Sequence, residues 1–491
     1  MSPPAMAPTD ISWLAILPGL IVTGTAALVL IADLFVQGPD REGLGWIGIV
    51  GLGAAAIAAA LLWSADAAGF GGAFVLDRFA VFFNVLLCLS GILTLLISMD
   101  YLSSINIEGG EYYVQVLLAV LGMMIMAQAN DLIVLFLGLE LMSISVYVLA
   151  GIWRPELRSS EGALKYFLLG AYASGFLLFG IAMAYGAFGT TLLDPIATKL
   201  AQLPADQRPL ALAAMGLLLV GFAFKVAAVP FHSWAPDVYE GAPTSVTALM
   251  AVGVKAAAFA AFARVFIQAL LPLAVDWTGL LWALAVLSMT VGNAAALVQR
   301  NIKRMLAYSS IAHAGYLLVG LVAADLTGGA AVLYGVVVYA LMTLGAFAVV
   351  IAVGRRSEAN EDISDYAGLG FRYPFLGFCM TVFMLSLAGI PLFAGFTGKF
   401  FLFSAAIERG YVWLVVIAAL NSVLSLYYYS AVLVQMYMGE GGREVQGTAG
   451  RPYLVATLLF TSALTIVLGI FPQWALYLAI QAIRSLERAA A

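Results

Sequence analysis

The sequence predicts an all-α polytopic membrane protein with fourteen transmembrane helices, organised as two inverted five-helix repeats that each hold a broken helix. Three observations lead there. Only 10% of the 491 residues are charged and 63% are hydrophobic, whereas a soluble domain carries about 25% charged residues; the mean hydropathy is +1.02. Apolar stretches of roughly 20 residues recur along the chain, each long enough to cross a bilayer as a helix. These stretches are continuous and lack the period-2 alternation of a membrane barrel. The longest connections, near 189–208 and 354–373, are too short for a soluble domain, so 1–491 reads as one transmembrane domain.

The expected spans are 12–36, 43–63, 74–99, 114–129, 131–151, 162–188, 209–239, 243–270, 277–298, 303–322, 327–353, 374–408, 410–438 and 452–481. Spans four and five nearly touch at Asn130 and Asp131, which implies a tight turn. Spans seven and twelve are too long for one straight crossing, and each contains a proline, Pro230 or Pro391. Loops after odd-numbered spans carry 11 basic residues: Arg41, Arg154, Arg158, Arg300, Lys303, Arg304, Arg355, Arg356, Arg372, Arg443 and Arg451. The opposite side carries 7: Arg78, Lys199, Arg208, Arg264, Arg409, Arg484 and Arg488. Lys and Arg accumulate in cytoplasmic loops, so the richer face is expected to be cytoplasmic, or its organellar equivalent. An even number of spans then puts both termini on the other face.

The remaining four basic residues are lysines inside spans: Lys165, Lys225, Lys255 and Lys399. Among the acids, Glu140 stands near the middle of span five, in LIVLFLGLELMSISVYVLAG. A charge at the bilayer centre costs about 2.5–3.5 kcal/mol on insertion scales, and such residues face a bundle interior or hydrated cavity and mark ion pathways. Glu140, Lys225, Lys255 and Lys399 are therefore candidate proton carriers; the alternative for each is a structural ion pair. Lys225 precedes Pro230, which removes a backbone hydrogen bond within the helix and frees carbonyls to bind water or a cation, as in broken transporter helices. Pro391, with glycines at 389, 395 and 398, marks the second interruption, and Lys399 follows it. Lys165 lies a few residues into its span, where its ammonium could reach the headgroups. Of the two histidines, His232 lies beside the first break, and His313, in SSIAHAGYLLVG, shares its depth with the buried charges. Histidine relays protons near neutral pH; hydrogen-bonded structure is the other reading.

The two broken helices are five spans apart. Consecutive units of five spans run in opposite directions, the inverted-repeat layout of many transporters, with sites at interrupted helices. This divides the chain into three N-terminal helices (1–113), a first repeat (114–270), a second, inverted repeat (277–438) and a C-terminal helix (439–491).

Other chemistries find no support. Cys88 and Cys379 are isolated, too few for a four-cysteine iron–sulfur cluster or a disulfide framework. Two distant histidines give no metal-ligand spacing. The start, MSPPAMAPTDIS, lacks the basic residues of a signal peptide, so span one reads as a retained helix. GFGGAF at 69–74 lacks the spacing and strand context of a dinucleotide loop. No basic stretch suggests nucleic acid; the partner such a composition requires is the lipid bilayer.

The segment KVAAVPFHSWAPDVYEGAPTSVTALMAVGVKAAAFA (225–260) closely resembles the signature of the antiporter-like subunits of respiratory NADH:quinone oxidoreductase, complex I. NIKRMLAYSSIAHAGY (301–316) and AGIPLFAGFTGKF (388–400) resemble that family's later motifs, and the similarity extends over spans four to thirteen. Among its branches the chain is most similar to subunit N, the homologue of mitochondrial subunit 2. It lacks the long C-terminal extension of the subunit L branch, and Lys399 stands where the subunit M branch usually has glutamate. Three extra N-terminal spans resemble the bacterial form, which implies the bacterial inner membrane with both termini periplasmic.

The resemblance implies roles. Glu140 matches the fifth-helix glutamate that pairs with the seventh-helix lysine, Lys225. Lys255 matches the central eighth-helix lysine, and Lys399 the twelfth-helix lysine toward the exit side. His313 matches a tenth-helix polar residue on the hydrated axis, and Lys165 a sixth-helix lysine near the Glu140–Lys225 pair. It also implies other membrane-arm subunits, including other antiporter-like ones, as partners. No cofactor is expected in this chain; flavin, iron–sulfur clusters and quinone belong to partner subunits.

The implied activity is proton translocation through a Glu/Lys/His relay, driven by redox chemistry elsewhere in the complex. In general a lysine loses proton affinity on burial and regains it beside a carboxylate, so making and breaking the Glu140–Lys225 contact would switch how tightly the lysine holds its proton. Moving one charge against 100 mV costs about 2.3 kcal/mol, and a change of two pKa units corresponds to about 2.7 kcal/mol, so such a switch is energetically adequate. Two alternatives stand beside it: a subunit of a multi-subunit sodium/proton antiporter, and a structural membrane spacer whose lysines are locked in ion pairs.

Overall fold

The computed structural model describes residues 12–36, 41–107, 109–354, 361–441, 445 and 447–488. Arg355, Arg356 and Arg443, counted above on the basic face, lie outside the described residues. The helices are α1 (Trp13–Asp33), α2 (Glu42–Leu61), α3 (Arg78–Ser104), α4 (Gly110–Gln128), α5 (Leu132–Ala150), α6 (Leu157–Phe188), α7 (Leu193–Ala201), α8 (Arg208–Lys225) and α9 (Trp234–Gly241). They continue with α10 (Thr244–Ala269), α11 (Ala274–Ala296), α12 (Ile302–Val322), α13 (Leu326–Val353), α14 (Pro374–Ala388), α15 (Ala394–Glu408), α16 (Val412–Met438), α17 (Pro452–Ile470) and α18 (Gln473–Arg488). Among the described residues, thirteen helices are long and apolar enough to cross a membrane. The α14–α15 pair adds a fourteenth crossing because neither half is long enough alone. The chain is a multi-pass, mostly helical membrane protein.

Polar residues at the ends of apolar runs start the helices. Asp77, Asp131, Asn301 and Asp325 each accept a hydrogen bond from a backbone N–H of the first turn of α3, α5, α12 and α13, satisfying donors that a helix start leaves free.

Three expectations need correction. The last span does not run from 452 to 481. It ends at Ile470, and after Pro472 a separate helix, α18, packs on α3 and α13; Pro472 cannot extend the ladder of α17. Span three starts at Arg78 rather than near 74, because residues 67–69 and 74–76 pair as a short hairpin, β1 (Ala67–Gly69) and β2 (Phe74–Leu76). The GFGG stretch is its turn, with Phe70, Gly71 and Gly72 all at positive φ. The 189–208 connection holds a helix of its own, α7.

Both expected breaks are present. α8 ends at Lys225, and the chain passes Ala227 at φ 58° and the cis Val229–Pro230 bond before α9. α14 ends at Ala388, and Gly389 (φ 86°) and Leu392 (φ 80°) turn the chain into α15. Further irregularities lie in α10, where Met250–Val254 and Arg264–Ala269 wind as π-helix; nothing in the hydropathy pattern marks them. α10 is buried along its length, with α3, α4, α8 and α13 among its neighbours.

Ion pairs sort the loops by face. Arg158–Glu240, Lys165–Asp237, Arg304–Asp237 and Lys303–Glu361 join segments at the ends of spans that share one face. Arg208–Asp276, Arg409–Asp325 and Arg264–Asp77 do so on the other. Each pair joins connections of equal parity, as a chain of alternating crossings requires. Three residues counted above as loop cations are in fact buried: Lys303 at 0%, Arg264 at 1% and Arg451 at 7% exposure. Arg264 forks onto both carboxylate oxygens of Asp77 (2.9 and 3.0 Å), donates to the Ala127 carbonyl, and lies over the Phe79 ring.

One local pattern occurs twice. Leu132 N–H donates to the Thr191 carbonyl and Leu193 N–H to that of Asn130 (both 2.9 Å). Ile302 N–H donates to the Glu361 carbonyl and Ile363 N–H to that of Arg300 (both 2.8 Å). Gly122 of α4 lies against the backbone of Met142 and Gly138 in α5, and Gly292 of α11 against that of Ala312 and Tyr308 in α12. The same number of residues separates every corresponding position, and it places Ser143 opposite His313.

Candidate functional site

Glu140 is not fully enclosed within this chain. It lies half-buried on α5, on the side that exposes Ile133, Leu137, Ile144 and Val148. Leu164, Leu168, Tyr172 and Phe179 of neighbouring α6 are also exposed. The sequence placed Glu140 centrally in its span but could not tell which way it faces. Ser174 of α6 donates its hydroxyl hydrogen bond to Oε1 of Glu140.

Lys225, the last residue of α8, is 3% exposed. Its Nζ donates to Ser143 Oγ at 2.7 Å and lies 5.5, 5.7 and 5.9 Å from the ring centroids of Tyr147, Tyr166 and Phe224. The expected contact with Glu140 is not a closed ion pair: among the described residues no carboxylate oxygen lies within 4 Å of this ammonium.

A second group of side chains gathers on α10, α12 and α15. Lys255 donates to the Ser310 carbonyl (2.5 Å) and to its hydroxyl, with Nζ 5.1 Å from the Tyr339 ring centroid. His313 Nδ1 is 3.0 Å from the Ser309 carbonyl, while Nε2 is buried without a hydrogen-bond partner among the described residues. Its ring centroid is 5.3 Å from that of Tyr339 and 5.6 Å from that of Tyr316. Lys399 Nζ is 4.7 Å from the Tyr316 ring. Tyr339 thus touches Lys255 and His313, and Tyr316 touches His313 and Lys399. Lys399 also donates to the Leu387 and Ala388 carbonyls (3.2 and 3.1 Å) and to Ser422 Oγ (2.9 Å). The carbonyls freed by the Pro391 break thus hold the lysine of the same span. At the Pro230 break, Trp234 Nε1 donates to the Phe224 carbonyl (3.2 Å).

Lys165 stands apart. Its side chain is 43% exposed and pairs with Glu161 and Asp237 at 2.8 Å, beside Arg304 and Glu240. Its shallow place in the span let its stem reach this charged cluster. The structure does not gather it with Glu140 and Lys225.

Sequence reasoning missed the hosts of these charges: Ser143, Ser174, Ser310 and Ser422, and the rings of Tyr147, Tyr166, Tyr316 and Tyr339. A weak signal existed for two. Ser143 follows Glu140 by three positions and Ser310 precedes His313 by three, the spacing of neighbours on one helix face. Tyr147 follows Ser143 by four and Tyr316 follows His313 by three, the same kind of spacing, whereas Tyr166 and Tyr339 come from other helices and carry no local mark.

Residues 129–425 match the family described as NADH:quinone oxidoreductase/Mrp antiporter, transmembrane. The chain is 47% identical to "NADH-quinone oxidoreductase subunit N" of Trichlorobacter lovleyi over 96% of each chain. It superimposes with a TM-score of 0.80 on a chain of respiratory complex I from Thermus thermophilus, at 35% identity over 94% of this chain and 99% of that one. A chain of the Mrp complex from a Dietzia species superimposes with a TM-score of 0.83 at 20% identity, over 98% of this chain and 99% of that one, a likeness of fold.

Proposed function

Because this chain belongs to the NADH:quinone oxidoreductase/Mrp antiporter transmembrane family, we propose that it is subunit N of a bacterial NADH:quinone oxidoreductase, a membrane-arm subunit that moves protons across the inner membrane. One observation carries the reading: Lys225, Lys255 and Lys399, each at most 7% exposed, lie within spans with no carboxylate in ion-pair reach among the described residues. A locked structural pair needs a carboxylate beside each ammonium, because breaking a buried pair leaves a costly lone charge. Lysines hosted by hydroxyls, carbonyls and ring faces can instead exchange protons as those contacts change.

In this reading Glu140 and Lys225 form the entry pair. Lys255 is the central carrier, His313 relays through its free Nε2, and Lys399 delivers the proton on the exit side. Pro230 and Pro391 supply the breaks; at the second, Lys399 caps the freed carbonyls, and at the first, Trp234 binds the Phe224 carbonyl near the end of α8. Lys165 supports the relay only from the charged cluster at one face. Residues 114–270 and 277–438 are the two inverted repeats, between an N-terminal unit (1–113) and a C-terminal one (439–491); the twice-used pattern of bridges and glycine contacts supports this division. The face bearing Arg154, Arg158 and Arg304 is cytoplasmic and both termini are periplasmic, as the positive-inside bias favours.

Other membrane-arm subunits, antiporter-like ones among them, cover the exposed flank of α5 and α6, where an isolated half-buried Glu140 would otherwise meet lipid. Flavin, iron–sulfur clusters and quinone reside in partner subunits, since two separate buried cysteines supply too few thiolates for a cluster. The sodium/proton antiporter reading has less support, because its likeness is one of fold while the 47% relative is an oxidoreductase subunit by name.

The decisive test is Lys225→Ala in the assembled complex, reconstituted into liposomes. Coupled proton pumping is expected to be lost while the complex still assembles. Unchanged pumping and quinone reduction would remove Lys225 from the path.

A further inference from the structure

We propose that Ser143, Tyr147, Tyr166 and Phe224 form a built resting site for protonated Lys225, in which its ammonium is held apart from Glu140. The proposal deepens the relay reading above and rests on it.

Each member of the separated pair has its own host. Lys225 Nζ donates to Ser143 Oγ at 2.7 Å, and Glu140 accepts from Ser174 Oγ on another helix. The polarity at Ser143 is fixed: its own hydroxyl proton is donated to the Leu139 carbonyl, so toward Nζ it offers a lone pair. That lone pair accepts an N–H of the lysine, and does so more strongly from a charged ammonium than from a neutral amine. Three aromatic centroids then lie within 6 Å of Nζ, the range in which a ring face attracts a cation.

The rings are themselves fixed. Tyr166 stacks on Trp234 (4.3 Å between centroids, 7° between planes) and meets Tyr147 edge-on (4.7 Å, 85°). Trp234 Nε1 binds the Phe224 carbonyl, which ties the stack to the end of α8 that carries Lys225. Such a site stabilises a charged lysine without neutralising it. It is what opening the pair requires: the ammonium leaves the carboxylate still holding its proton, and gives it up only in a later step. Ser143 also occupies the position that corresponds to His313 in the second half, whose ring meets Tyr339 and Tyr316, the rings over Lys255 and Lys399.

The test uses the full complex in liposomes, with NADH-driven proton uptake and quinone reduction read together. Ser143→Ala and Tyr166→Leu remove parts of the site; Ser143→Thr and Tyr166→Phe keep them. The Tyr166 hydroxyl has no hydrogen-bond partner among the described residues, so its loss is expected to be neutral. Tyr166→Leu is expected to shift the open-to-closed ratio by about two- to thirtyfold, the span of one cation–π contact from exposed to desolvated, and Ser143→Ala by about tenfold or more, the size of a hydrogen bond to a charged group; both lower protons pumped per NADH, while the second two match the parent. A cryo-EM structure of Ser143→Ala should show Nζ within ion-pair distance of Glu140, a movement that a merely structural serine would not cause. Should Tyr166→Leu fail to assemble, the Ser143→Ala and Ser143→Thr pair decides alone. Lys225→Ala separates the two readings. If it pumps normally, the relay reading falls and takes this proposal with it. If it abolishes pumping while Ser143→Ala and Tyr166→Leu pump as the parent does, with Nζ unmoved, only the resting site is overturned.

Discussion

At the scale of single residues, what separates the buried cations is what hosts them. Arg264 forks onto Asp77 and a carbonyl and ties α10 to the start of α3, its charge matched by the Asp77 carboxylate. Among the described residues, Lys225, Lys255 and Lys399 are hosted by hydroxyls, carbonyls and rings. Removing Arg264 would leave the Asp77 carboxylate with its backbone N–H partner but no cation, and breaking a buried pair in this way typically costs about 3–5 kcal/mol. Arg264→Leu is therefore expected to lower the melting temperature of the purified complex sharply, and Arg264→Lys to recover only part of the loss, because an ammonium cannot fork across both oxygens. Equal melting temperatures for all three proteins would show that the pair contributes nothing.

At the scale of elements, close helix crossings set the two halves. Membrane helices cannot rely on the hydrophobic effect to hold each other and associate where small residues let backbones approach. A methyl group added at Gly122 would collide with the backbone of Met142, and one added at Gly292 with that of Ala312. Gly122→Ala and Gly292→Ala are each expected to destabilise the protein by about 1–3 kcal/mol, the range for overpacking, and by similar amounts because the contact is the same. Thermal unfolding in detergent checks this, and a large effect at one site with none at the other would count against equivalent crossings. The broken helices were legible because each proline falls in an apolar run too long for one straight crossing and removes a helix hydrogen bond there. The π-turns of α10 were not legible, because an extra residue per turn leaves composition and hydropathy unchanged.

At the scale of the whole molecule, alternate crossings divide the surface into two faces. Arg154 and Asp206 are both exposed and lie in loops of opposite parity. In membrane vesicles of known sidedness, Arg154→Cys is expected to react with an impermeant thiol reagent only from the cytoplasmic side and Asp206→Cys only from the periplasmic side. The native Cys88 and Cys379 are buried and give little background. Labelling of both from one side would break the fourteen-span threading. The exposed flank of α5 and α6 belongs to this scale too: hydropathy marks both helices as apolar all round, so it cannot tell lipid from a partner subunit or the protein's own interior.

The sequence by itself determined that the chain lies in a bilayer and which charged residues fall within its spans. Charge is so scarce in these spans that each lysine and Glu140 stands out against the cost of placing it there, and proline announces both breaks. Only the tertiary structure decided what those charges meet. It turned Glu140 toward an outer flank, opened its pair with Lys225, set Lys165 in a surface cluster, and brought Tyr339 and Tyr316 between Lys255, His313 and Lys399. The reason is physical: the cost of a buried charge depends on its depth along one helix and so can be read from one helix, whereas a hydrogen bond or ring contact depends on which helices become neighbours and at what rotation, and in spans apolar on every side the sequence does not carry that rotation.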